Sequence, residues 1–562
     1  MSTFFVDCYT TNVEQSKKID KFLFLLDESG VCDFLEKEIK KNEPQEDKGG
    51  RPTYNPYNLL AVIIYNFAFN KGTLRDIEDR IKNDLRCIYI MQDQYPTHMT
   101  IGNFMNDYIV SNQEKIFSLI TKAIFKECKI SMDDLYLDGS KFEANANKYK
   151  FVWKPTTFHN KLSDKVRQLL SEYDLLRGIN KSGIIESKVI AEKIVELNEV
   201  LKQYDLTIKE NKKHINSYNL LVEYLQKSLE YEEKESVCGP NRNSYYKTDK
   251  DATAMFLKED YYSGLGSNMH AAYNTQISVA NELVTAYLVT QSRVDINDFV
   301  PLLDVHYNFY NEYPKRLCAD SGYGSLINYK YLDKHNIKNF VKYFTWEGNV
   351  SGRNPSQYHL NDDETITCLN GHIGYKTNLN WHHRKAGSTF YKVEGCNNCP
   401  FSTYCKRFMK EKNEDFKIFE VTIELQKYIQ QAEKNLLSIE GIEMRVNRSS
   451  QVEGAFGVIK QDFQYERFRR RSINKVSAEF MLVCLGYNVR KLFKHFNGEA
   501  KFNYWKAPDN IQTETFKKPS AKRLSKKLLR LNLNQLTKKL KTSINMQIKK
   551  AVNLGNDFKF KT

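Results

Sequence analysis

The sequence predicts an α/β protein that carries long helical additions. Between residues 131 and 345, short runs rich in β-branched and aromatic residues alternate with helical patterns. A heptad pattern interrupts these runs at residues 158–236, and mostly helical patterns precede them in residues 1–130. The chain has 562 residues, of which 41% are apolar, so it can bury several cores without disulfides or a metal.

Composition excludes several classes of protein. The mean hydropathy is −0.59, and 27% of the residues are charged, as in soluble globular proteins. No apolar run reaches the ~18 residues of a membrane span. The longest, residues 59–69, contains Tyr65 and Asn66 and predicts a core helix. The start, MSTFFVDCYT, lacks the features of a signal peptide. We therefore expect a cytoplasmic protein that has reduced thiols and binds no membrane.

Residues 1–130 predict a helical N-terminal domain. The segment KGGRPTYNPYNLLAVIIYNFAF places a Gly/Pro loop before an apolar helix, Thr73 can cap the next helix, and residues 97–108 predict another short one. Short helices with tight connections are typical of a helix-turn-helix DNA-binding unit, but also of an ordinary helical bundle. The sequence favours these two equally.

The α/β core is predicted in two parts, residues 131–157 and 237–345. A buried strand at 135–137 leads into Asp138, and residues 273–290 predict a hairpin with its turn at 280–282. Another strand, Arg316–Ala319, leads into Asp320, and a short helix and a strand at 339–344 follow. Residues 421–500 predict C-terminal helices of the core, one of which carries Glu453.

A helical insertion separates the two parts of the core. Apolar residues recur in residues 158–236 with the alternating spacing of three and four that is typical of a coiled coil. A turn at 177–183 allows the insertion to fold back on itself, which we slightly favour over a role in dimerisation. The second half of the predicted seam comprises Ile190, Ile194, Leu197, Leu201, Tyr204, Ile208, Asn211, Ile215, Tyr218, Val222, Leu225 and Leu229.

Three acidic residues occur where a catalytic site could use them. Asp138 and Asp320 each end a predicted strand, and Glu453 lies on a helix whose neighbouring face is apolar. Carboxylates so placed can hold two Mg²⁺ or Mn²⁺ ions at a phosphodiester. The competing interpretation is that these are ordinary solvated acids, since the chain has 69 of them and Asp-Gly is a common turn.

Two basic residues flank Glu453 at helical spacings. Arg448 precedes it by five positions and Lys460 follows it by seven, so either could meet a phosphate held at the metals. Tyr323, in the turn DSGYG that contains Asp320, is a further candidate for a DNA contact. The alternative is a surface helix with interspersed charges.

The positive charge is concentrated in two places. The net charge is +15, and residues 515–562 contribute +13 of it, from 14 Lys and Arg against one Asp. A second cluster contains Arg467, Arg469, Arg470 and Arg471. Dense charge of one sign favours a polyanion, and double-stranded DNA is the partner we expect. A solubilising tail at residues 501–562, or an anionic membrane surface, remains the alternative.

A cysteine cluster lies in residues 346–420. Cys396, Cys399 and Cys405 form a C-x2-C-x5-C run, and Cys368 lies upstream. Four thiolates at such spacing predict tetrahedral Zn²⁺ in a structural role, with His372, His382 or His383 as other fourth ligands. Buried thiols that bind no metal are the alternative. The seven other cysteines are dispersed and predict small apolar side chains.

These motifs together resemble the bacterial insertion-sequence DDE transposases, and most closely the eleven-eighty-two group. The resemblance extends from GGRPTYNPYNLL near residue 50 to about residue 495. It rests on LYLDGSKFEANANKYKFVWK, on ADSGYGS, and on RSSQVEGAFGVIKQDFQYERFRRR, in which Glu453 and Lys460 have the Glu-x6-Lys spacing of this class. The Asp138–Asp320 spacing is long, which the helical insertion explains, and the basic tail is not covered by the resemblance.

The resemblance implies a ribonuclease-H-like core in which Asp138, Asp320 and Glu453 form the DDE triad. It also implies DNA cleavage and strand transfer at transposon ends and target DNA, by a nucleoid-associated protein that acts as a homodimer. Two competing functions differ in outcome. A domesticated transposase would bind DNA as a regulator without cutting it, and a stand-alone nuclease of the same fold would cut DNA without joining ends.

Overall fold

A computed structural model describes residues 17–42, 53–70, 73–202, 208–257, 269–378, 387–409, 413–500 and 502–509, and also residues 511–513, 515, 516, 520, 521 and 524. Within these ranges no helix combines the length and apolar character needed to cross a membrane. The chain divides into two compact units. Unit 1 comprises residues 1–132, 138–312 and 451–502, and unit 2 comprises residues 133–137, 313–450 and 503–562.

The N-terminal part of unit 1 is helical. Its helices are α1 (Val31–Asn42), α2 (Pro56–Phe69), α3 (Leu74–Asn83), α4 (Leu85–Met91), α5 (His98–Phe104) and α6 (Val110–Cys128). The predicted cap of α3 is confirmed, because the Thr73 hydroxyl accepts from the Asp76 N–H while the Asp76 carboxylate accepts from the Thr73 N–H. The loop GGRP before α2 lies outside the described residues, since residues 43–52 are not described.

Helix α2 packs against α17 (Ile473–Phe496) to form the helical core of unit 1. Ten of the fourteen residues of α2 are buried, which agrees with the predicted core helix. The close approach requires Gly486, because a Cβ there would lie 2.6 Å from the backbone carbonyl of Phe67.

Strand β1 (Asp134–Glu143) is common to both units. In unit 1, β5 (Met269–Ala280) pairs antiparallel with β4 (Thr253–Phe256) and with β6 (Leu283–Thr290). The β5–β6 pairing confirms the predicted hairpin, and its turn residues Asn281 and Glu282 both have positive φ. The hydrogen-bonded order around β1 is β4-β5-β1-β7-β8, with β6 also on β5.

In unit 2, β1 pairs parallel with β7 (Arg316–Ala319), and β7 pairs parallel with β8 (Lys338–Val341). The three strands are mostly buried, as expected for parallel strands covered on both faces. Helix α10 (Phe299–Tyr310) follows β6 and precedes β7 in the chain, and α11 (Leu326–Lys334) lies between β7 and β8.

The insertion forms a helical arm within unit 1. Its helices are α7 (Thr156–Ser171), α8 (Ser187–Lys202) and α9 (Ile208–Cys238), and the short pair β2 (Phe151–Trp153) and β3 (Ser244–Tyr246) joins its base. The three helices pack on one another, as the folded-back interpretation expected. Their shared core contains Val166, Leu169, Leu170, Ile185, Ile190, Leu197 and Leu221.

The predicted seam is correct in α8, and in α9 Tyr218 and Leu225 pack against the arm's core as predicted. At Ile215, Val222 and Leu229 the prediction is wrong by one position. Ile190 and Leu197 are buried, whereas Ile215 and Leu229 are 56% and 51% exposed. Leu221 and Ser228 of α9 are buried, and each lies one residue before a predicted seam position. Two stripes one residue apart satisfy the same heptad, and only packing on α7 and α8 decides between them. Tyr204 lies outside the described residues.

The rest of unit 2 contains an antiparallel sheet and two helices. The sheet order is β13-β12-β11-β10-β9. The short helix α12 (Trp346–Ser351) precedes the sheet in the chain, and the short helix α13 (Ser402–Cys405) lies between β12 and β13. Helices α14 (Ile423–Leu437) and α15 (Ile439–Arg448) follow. The sheet strands are β9 (Tyr358–Leu360), β10 (Ile366–Cys368), β11 (Ile373–Thr377), β12 (Thr389–Glu394) and β13 (Phe416–Val421).

Candidate active site at the ends of the parallel strands

The two aspartates follow neighbouring strands at matching positions. The parallel register pairs Leu137 of β1 with Ala319 of β7. Asp138 and Asp320 are the next residues on these strands. Strand β7 ends at Ala319, but β1 continues through Asp138 to Glu143, so the prediction that Asp138 ends a strand is wrong. Asp138 is half-buried, and the Asp320 side chain is 48% exposed.

A third strand end adds a cation that the sequence analysis missed. The register pairs Ala319 with Val341 of β8, and Lys342 follows Val341. The Lys342 Nζ lies 3.9 Å from Oδ1 of Asp320 and also forms a 2.8 Å ion pair with Glu347. The signal was present in the sequence, because Lys342 lies in the predicted strand 339–344, but no motif singled it out.

Glu453 lies on a helical segment that runs beside β1. The segment continues from α15 through a π turn (Ser449–Glu453), α16 (Gly454–Gly457) and a second π turn (Val458–Asp462). Within unit 2, the hydroxyl of Tyr136 donates to Sδ of Met444 at 3.4 Å. Within unit 1, the rings of Phe142 and Phe456 lie 6.3 Å apart.

Asp138 and Phe142 lie on the same face of β1, because side chains alternate across a strand. Within unit 1, the ring of Phe456 meets this face at Phe142. Glu453 precedes Phe456 by three positions and is exposed.

Both acidic and basic members of the Glu-x6-Lys pair occupy π turns. Glu453 ends the first π turn, and Lys460 lies in the second. Such turns insert an extra residue in a helix and are frequent at functional sites. Sequence periodicity of 3.6 residues did not predict them.

Lys460 contacts the second half of β1. Its Nζ lies 4.8 Å from the centre of the Phe142 ring and 3.5 Å from the carbonyl oxygen of Lys141. A cation over an aromatic ring is held without losing its charge. Lys460 is therefore positioned three to four residues beyond Asp138 along the strand.

Two predicted DNA contacts are buried. Arg448 is 7% exposed, and its charge lies close enough to the Cys318 thiol to lower the pKa of Cys318, although burial raises that pKa overall to about 12. Tyr323 is 1% exposed, so its ring belongs to the core of unit 2. Arg448 thus contributes positive potential under the end of β7, and Tyr323 offers no surface to a ligand.

The arginine segment 467–471 is fixed along the end of β1. The Glu143 N–H donates to the Glu466 carbonyl at 3.2 Å, and the Phe468 N–H donates to the Glu143 carbonyl at 2.9 Å. Arg467 lies 3.7 Å from the buried Glu143 carboxylate, and Arg470 donates to Asn106 Oδ1 at 2.8 Å.

These contacts divide the predicted DNA-binding arginines into two groups. Arg467 and Arg470 are half-buried in contacts within the chain, whereas Arg469 and Arg471 are exposed. The basic tail lies almost wholly outside the described residues, and that includes Lys517, Lys518, Lys522, Arg523, Lys526, Lys527 and Arg530.

A buried polar cluster supports Asp138 from the opposite face of β1. A Cβ on Gly139 would lie 2.3 Å from Gln276 Nε2 and 2.8 Å from Asp295 Oδ1. The amides of Asn274 and Gln276 each donate to that Asp295 oxygen at 2.8 Å. Burial raises the pKa of the neighbouring Asp298 to about 6. The Asp-Gly pair is thus required by packing and is not a turn.

The donors present suit a hard divalent cation. Three carboxylates that are half-buried or exposed provide the oxygen ligands that Mg²⁺ prefers. In the described part of the chain, however, no group of three or more His, Cys, Asp or Glu side chains is already arranged to hold a metal ion. The carboxylates thus fit Mg²⁺ by their ligand chemistry and not by their present arrangement.

The structure brings the four cysteines of the cluster into one neighbourhood in unit 2. The pKa of Cys405 is raised to about 11, chiefly by burial, with the nearby thiols of Cys399, Cys368 and Cys396 adding to the rise and Lys417 opposing it. All four are half-buried and unpaired by disulfides. Four thiols suit Zn²⁺ by their chemistry. Among the described residues, however, these cysteines are not arranged to hold a metal ion, so their proximity is the support for Zn²⁺.

Of the histidines offered as other fourth ligands, the structure describes His372. Nδ1 of His372 lies 2.9 Å from the carbonyl oxygen of Glu394, so this nitrogen is already engaged. His382 and His383 lie outside the described residues.

Comparisons with known proteins match two parts of the chain. Residues 367–493 match the family described as "Transposase DDE domain", and residues 11–107 match "Transposase domain (DUF772)". The first match contains Glu453, Lys460 and the cysteine cluster, and neither match contains Asp138 or Asp320. Searches of the curated proteins and of the solved structures found no match.

Proposed function

Because the chain belongs to the insertion-sequence DDE transposases, we propose that it binds the terminal repeats of an insertion sequence, cleaves the DNA there and transfers the freed strand to target DNA. Asp138, Asp320 and Glu453 act as the catalytic triad. The observation that best supports this assignment is the register of Leu137 with Ala319, because Asp138 and Asp320 are the residues that follow them.

A ribonuclease-H-like core is part of this proposal. It is supported by the order β6-β5-β1-β7-β8, in which β5 and β6 are antiparallel and β1, β7 and β8 are parallel. The helical segment that carries Glu453 also supports it, because the ring of its Phe456 lies 6.3 Å from the ring of Phe142 of β1. Tyr323 is buried and has no role in it.

The triad would hold Mg²⁺ or Mn²⁺, which would supply positive charge to the attacking and leaving oxygens of a phosphodiester. The chain's own cations orient the DNA around that position. Lys342 beside Asp320 and Lys460 over Phe142 attract the scissile phosphate. The exposed Arg469 and Arg471 contact the backbone further along. Positive charge acts on the DNA from a distance at Arg448, Arg467 and Arg470, because their side chains are wholly or partly buried.

The cysteine cluster has a structural role in this proposal. Zn²⁺ bound by Cys368, Cys396, Cys399 and Cys405 would tie the end of β10 to the segment after β12. The proximity of the four thiols supports this ligand set. No step of the DNA chemistry depends on it.

The test is a cleavage and joining assay on DNA that carries the boundary of the element. We expect Mg²⁺-dependent nicking at the boundary and joining of a pre-nicked end by the wild type. Asp320→Asn and Glu453→Gln should lose both activities and still bind DNA, since neither removes a cation. The exposed acid Asp333 of α11 provides a matched control, because Asp333→Asn removes the same charge away from the strand ends.

Three results would change the assignment. Retained cleavage in Asp320→Asn would overturn the triad. Cleavage without joining by the wild type would favour the stand-alone nuclease. Binding without cleavage, in the wild type and the variants alike, would favour a DNA-binding regulator.

A further inference from the structure

Two exposed aromatic rings lie side by side on β2, at the base of the helical arm in unit 1. Phe151 is 45% exposed and Trp153 is 51% exposed. Their ring centroids lie 5.6 Å apart in an edge-to-face arrangement. Residues two positions apart on a strand point to the same face, so both rings project from one face of β2. Large aromatic side chains are usually buried, and neighbouring exposed ones indicate a binding surface.

Pairing with β3 fixes this face of β2. The antiparallel register sets Phe151 opposite Tyr246 and Trp153 opposite Ser244, and both partners are buried. The rings of Phe151 and Tyr246 meet edge-to-face at 6.4 Å. Ser244 is too small to cover an indole ring. The strand pair thus holds the two exposed rings in place and leaves much of their surface to solvent.

The segment that carries these rings is basic. Residues 145–154 contain Lys148, Lys150 and Lys154 and no Asp or Glu. Nζ of Lys148 lies 5.6 Å from the centre of the ring of Tyr149, which is itself exposed, as is Lys150. Cations and aromatic rings therefore alternate in the sequence KYKFVWK. This combination suits a polyanion whose units have flat apolar faces, which is the chemistry of a nucleic acid strand.

Asn145 connects this segment to the arginine segment, also within unit 1. The side-chain amide of Asn145 donates to the Arg469 carbonyl at 2.7 Å. The backbone carbonyl of Asn145 accepts from Nε of Arg471 at 2.8 Å. Arg469 and Arg471 are the exposed arginines that the proposed function assigns to the DNA backbone. A DNA strand that contacts them can thus continue towards the rings of β2.

We propose that Phe151 and Trp153 stack on unpaired bases of a DNA strand, while Lys148 and Lys150 contact its phosphates. In a duplex the bases stack on one another, so their faces are closed to a protein ring unless the stack is opened. The base edges that a duplex does expose are read by hydrogen bonds, which a phenylalanine side chain cannot make. The rings of β2 therefore fit single-stranded DNA better than a duplex.

The chemistry of this surface disfavours a second copy of the chain as its occupant. A two-fold pairing of β2 would bring the lysines of one copy against the same lysines of the other. An anionic membrane would match the charges and the rings. The hydrogen bonds of Asn145, however, join this surface to the arginines assigned to DNA, so DNA is the occupant that we infer.

One part of the proposal rests on the proposed function. A terminal base has a stacked neighbour on one side only, so the strand end freed by cleavage is the source of unpaired bases that we expect at β2. The affinity for unpaired bases does not depend on catalysis. If β2 binds single strands but the wild type neither cuts nor joins DNA, the stacking surface stands and the proposed function falls.

The test is binding of single-stranded and duplex DNA of one sequence by the full-length protein, with EDTA present to prevent metal-dependent cleavage. A 2-aminopurine base in the single strand reports stacking on the wild type by its fluorescence. Trp153→Ala should abolish most of that change and weaken single-strand binding about tenfold, with less than about twofold effect on the duplex. Trp153→Phe should retain most of the binding, because it retains an aromatic ring, whereas Trp153→Leu should not.

A matched control and a charge variant complete the test. Tyr375→Ala removes an aromatic ring of β11 that is 64% exposed, and it should leave single-strand binding unchanged. Lys148→Gln/Lys150→Gln should lower the slope of single-strand affinity against salt by about 1.4, since each phosphate contact contributes about 0.7.

Three results would overturn the proposal. The first is equal single-strand binding by Trp153→Ala, Tyr375→Ala and the wild type. The second is an equal loss of single-strand and duplex binding in Trp153→Ala, which would mean that the ring does not select unpaired bases. The third is binding to vesicles of anionic phospholipid that Trp153→Ala loses while its DNA binding is intact, which would assign β2 to a membrane surface.

Discussion

The backbone N–H of Arg470 donates a 2.9 Å hydrogen bond to Oε2 of Glu479, whose side chain is almost fully buried. The N–H of Arg469 donates to the same carboxylate at 3.1 and 3.2 Å. Burial raises the pKa of Glu479, and these two N–H groups oppose that shift. A single side chain of α17 thus holds two consecutive backbone N–H groups of the arginine segment, in addition to the contacts of that segment with β1.

Glu479→Ala should lower both stability and DNA affinity. Two backbone N–H groups lose their buried acceptor, which costs about 2–4 kcal/mol of unfolding free energy. The arginine segment then loses its fixed path, so DNA binding should weaken and depend less on salt. Urea unfolding and binding at several salt concentrations measure the two effects. Glu499→Ala, an exposed acid beyond the same helix, is the control. Equal behaviour of the two variants would contradict the positioning role.

Gly139→Ala should damage the site without touching a charged group. The new Cβ would meet Gln276 and Asp295 at 2.3–2.8 Å, and both side chains are held by hydrogen bonds. Overpacking of this kind costs about 1–3 kcal/mol and should shift Asp138 and lower cleavage. Gly457→Ala is the matched control, since nothing lies within 4 Å of its added Cβ. If Gly139→Ala were as stable as the wild type, Gln276 and Asp295 would be able to move aside at little cost, which would contradict the packing argument.

The sequence predicted those parts of the fold that depend on local pattern. The hairpin about Asn281, the strand Arg316–Ala319 and the cap at Thr73 each depend on residues close in the chain, and all three are confirmed. The end of β7 before Asp320 also followed from local pattern, but the predicted strand end at Asp138 is wrong, because β1 continues to Glu143. The register that sets Leu137 beside Ala319 is contained in no local pattern.

Sequence reasoning failed where three-dimensional packing decides. Lys342 enters the site only because β8 pairs with β7, and Gly139 looked like a turn because nothing local reveals Gln276 behind it. The burial of Arg448 and Tyr323 follows from the layers of unit 2. The one-residue error in α9 has the same origin, since α7 and α8 choose between two stripes that the heptad permits equally.

Asp298 predicts a pH dependence of stability. Burial raises its pKa from 3.8 to about 6 in the folded protein, so the folded state binds its proton more tightly than the unfolded chain. Stability should therefore fall as pH rises from about 4 to about 6, by at most about 3 kcal/mol. Asp298→Asn should remove this slope and be more stable than the wild type at pH 8. Urea unfolding from pH 4 to pH 8 measures both. Asp304→Asn on the exposed face of α10 should keep the slope, and an unchanged slope in Asp298→Asn would contradict the assignment.

Zinc content provides the test of the cysteine cluster. Four thiols that lie close together repel one another as thiolates, so the cluster is stable either with protonated thiols or with a cation among them. We expect elemental analysis of the full-length protein to find about one zinc per chain if the cation is present. Cys396→Ser/Cys399→Ser should then lose the metal and lower the unfolding temperature. Cys32→Ser, a half-exposed cysteine of α1, should retain both. Absence of zinc from the wild type, or its retention in the double variant, would leave protonated thiols as the structural state and remove zinc from the proposed ligand set.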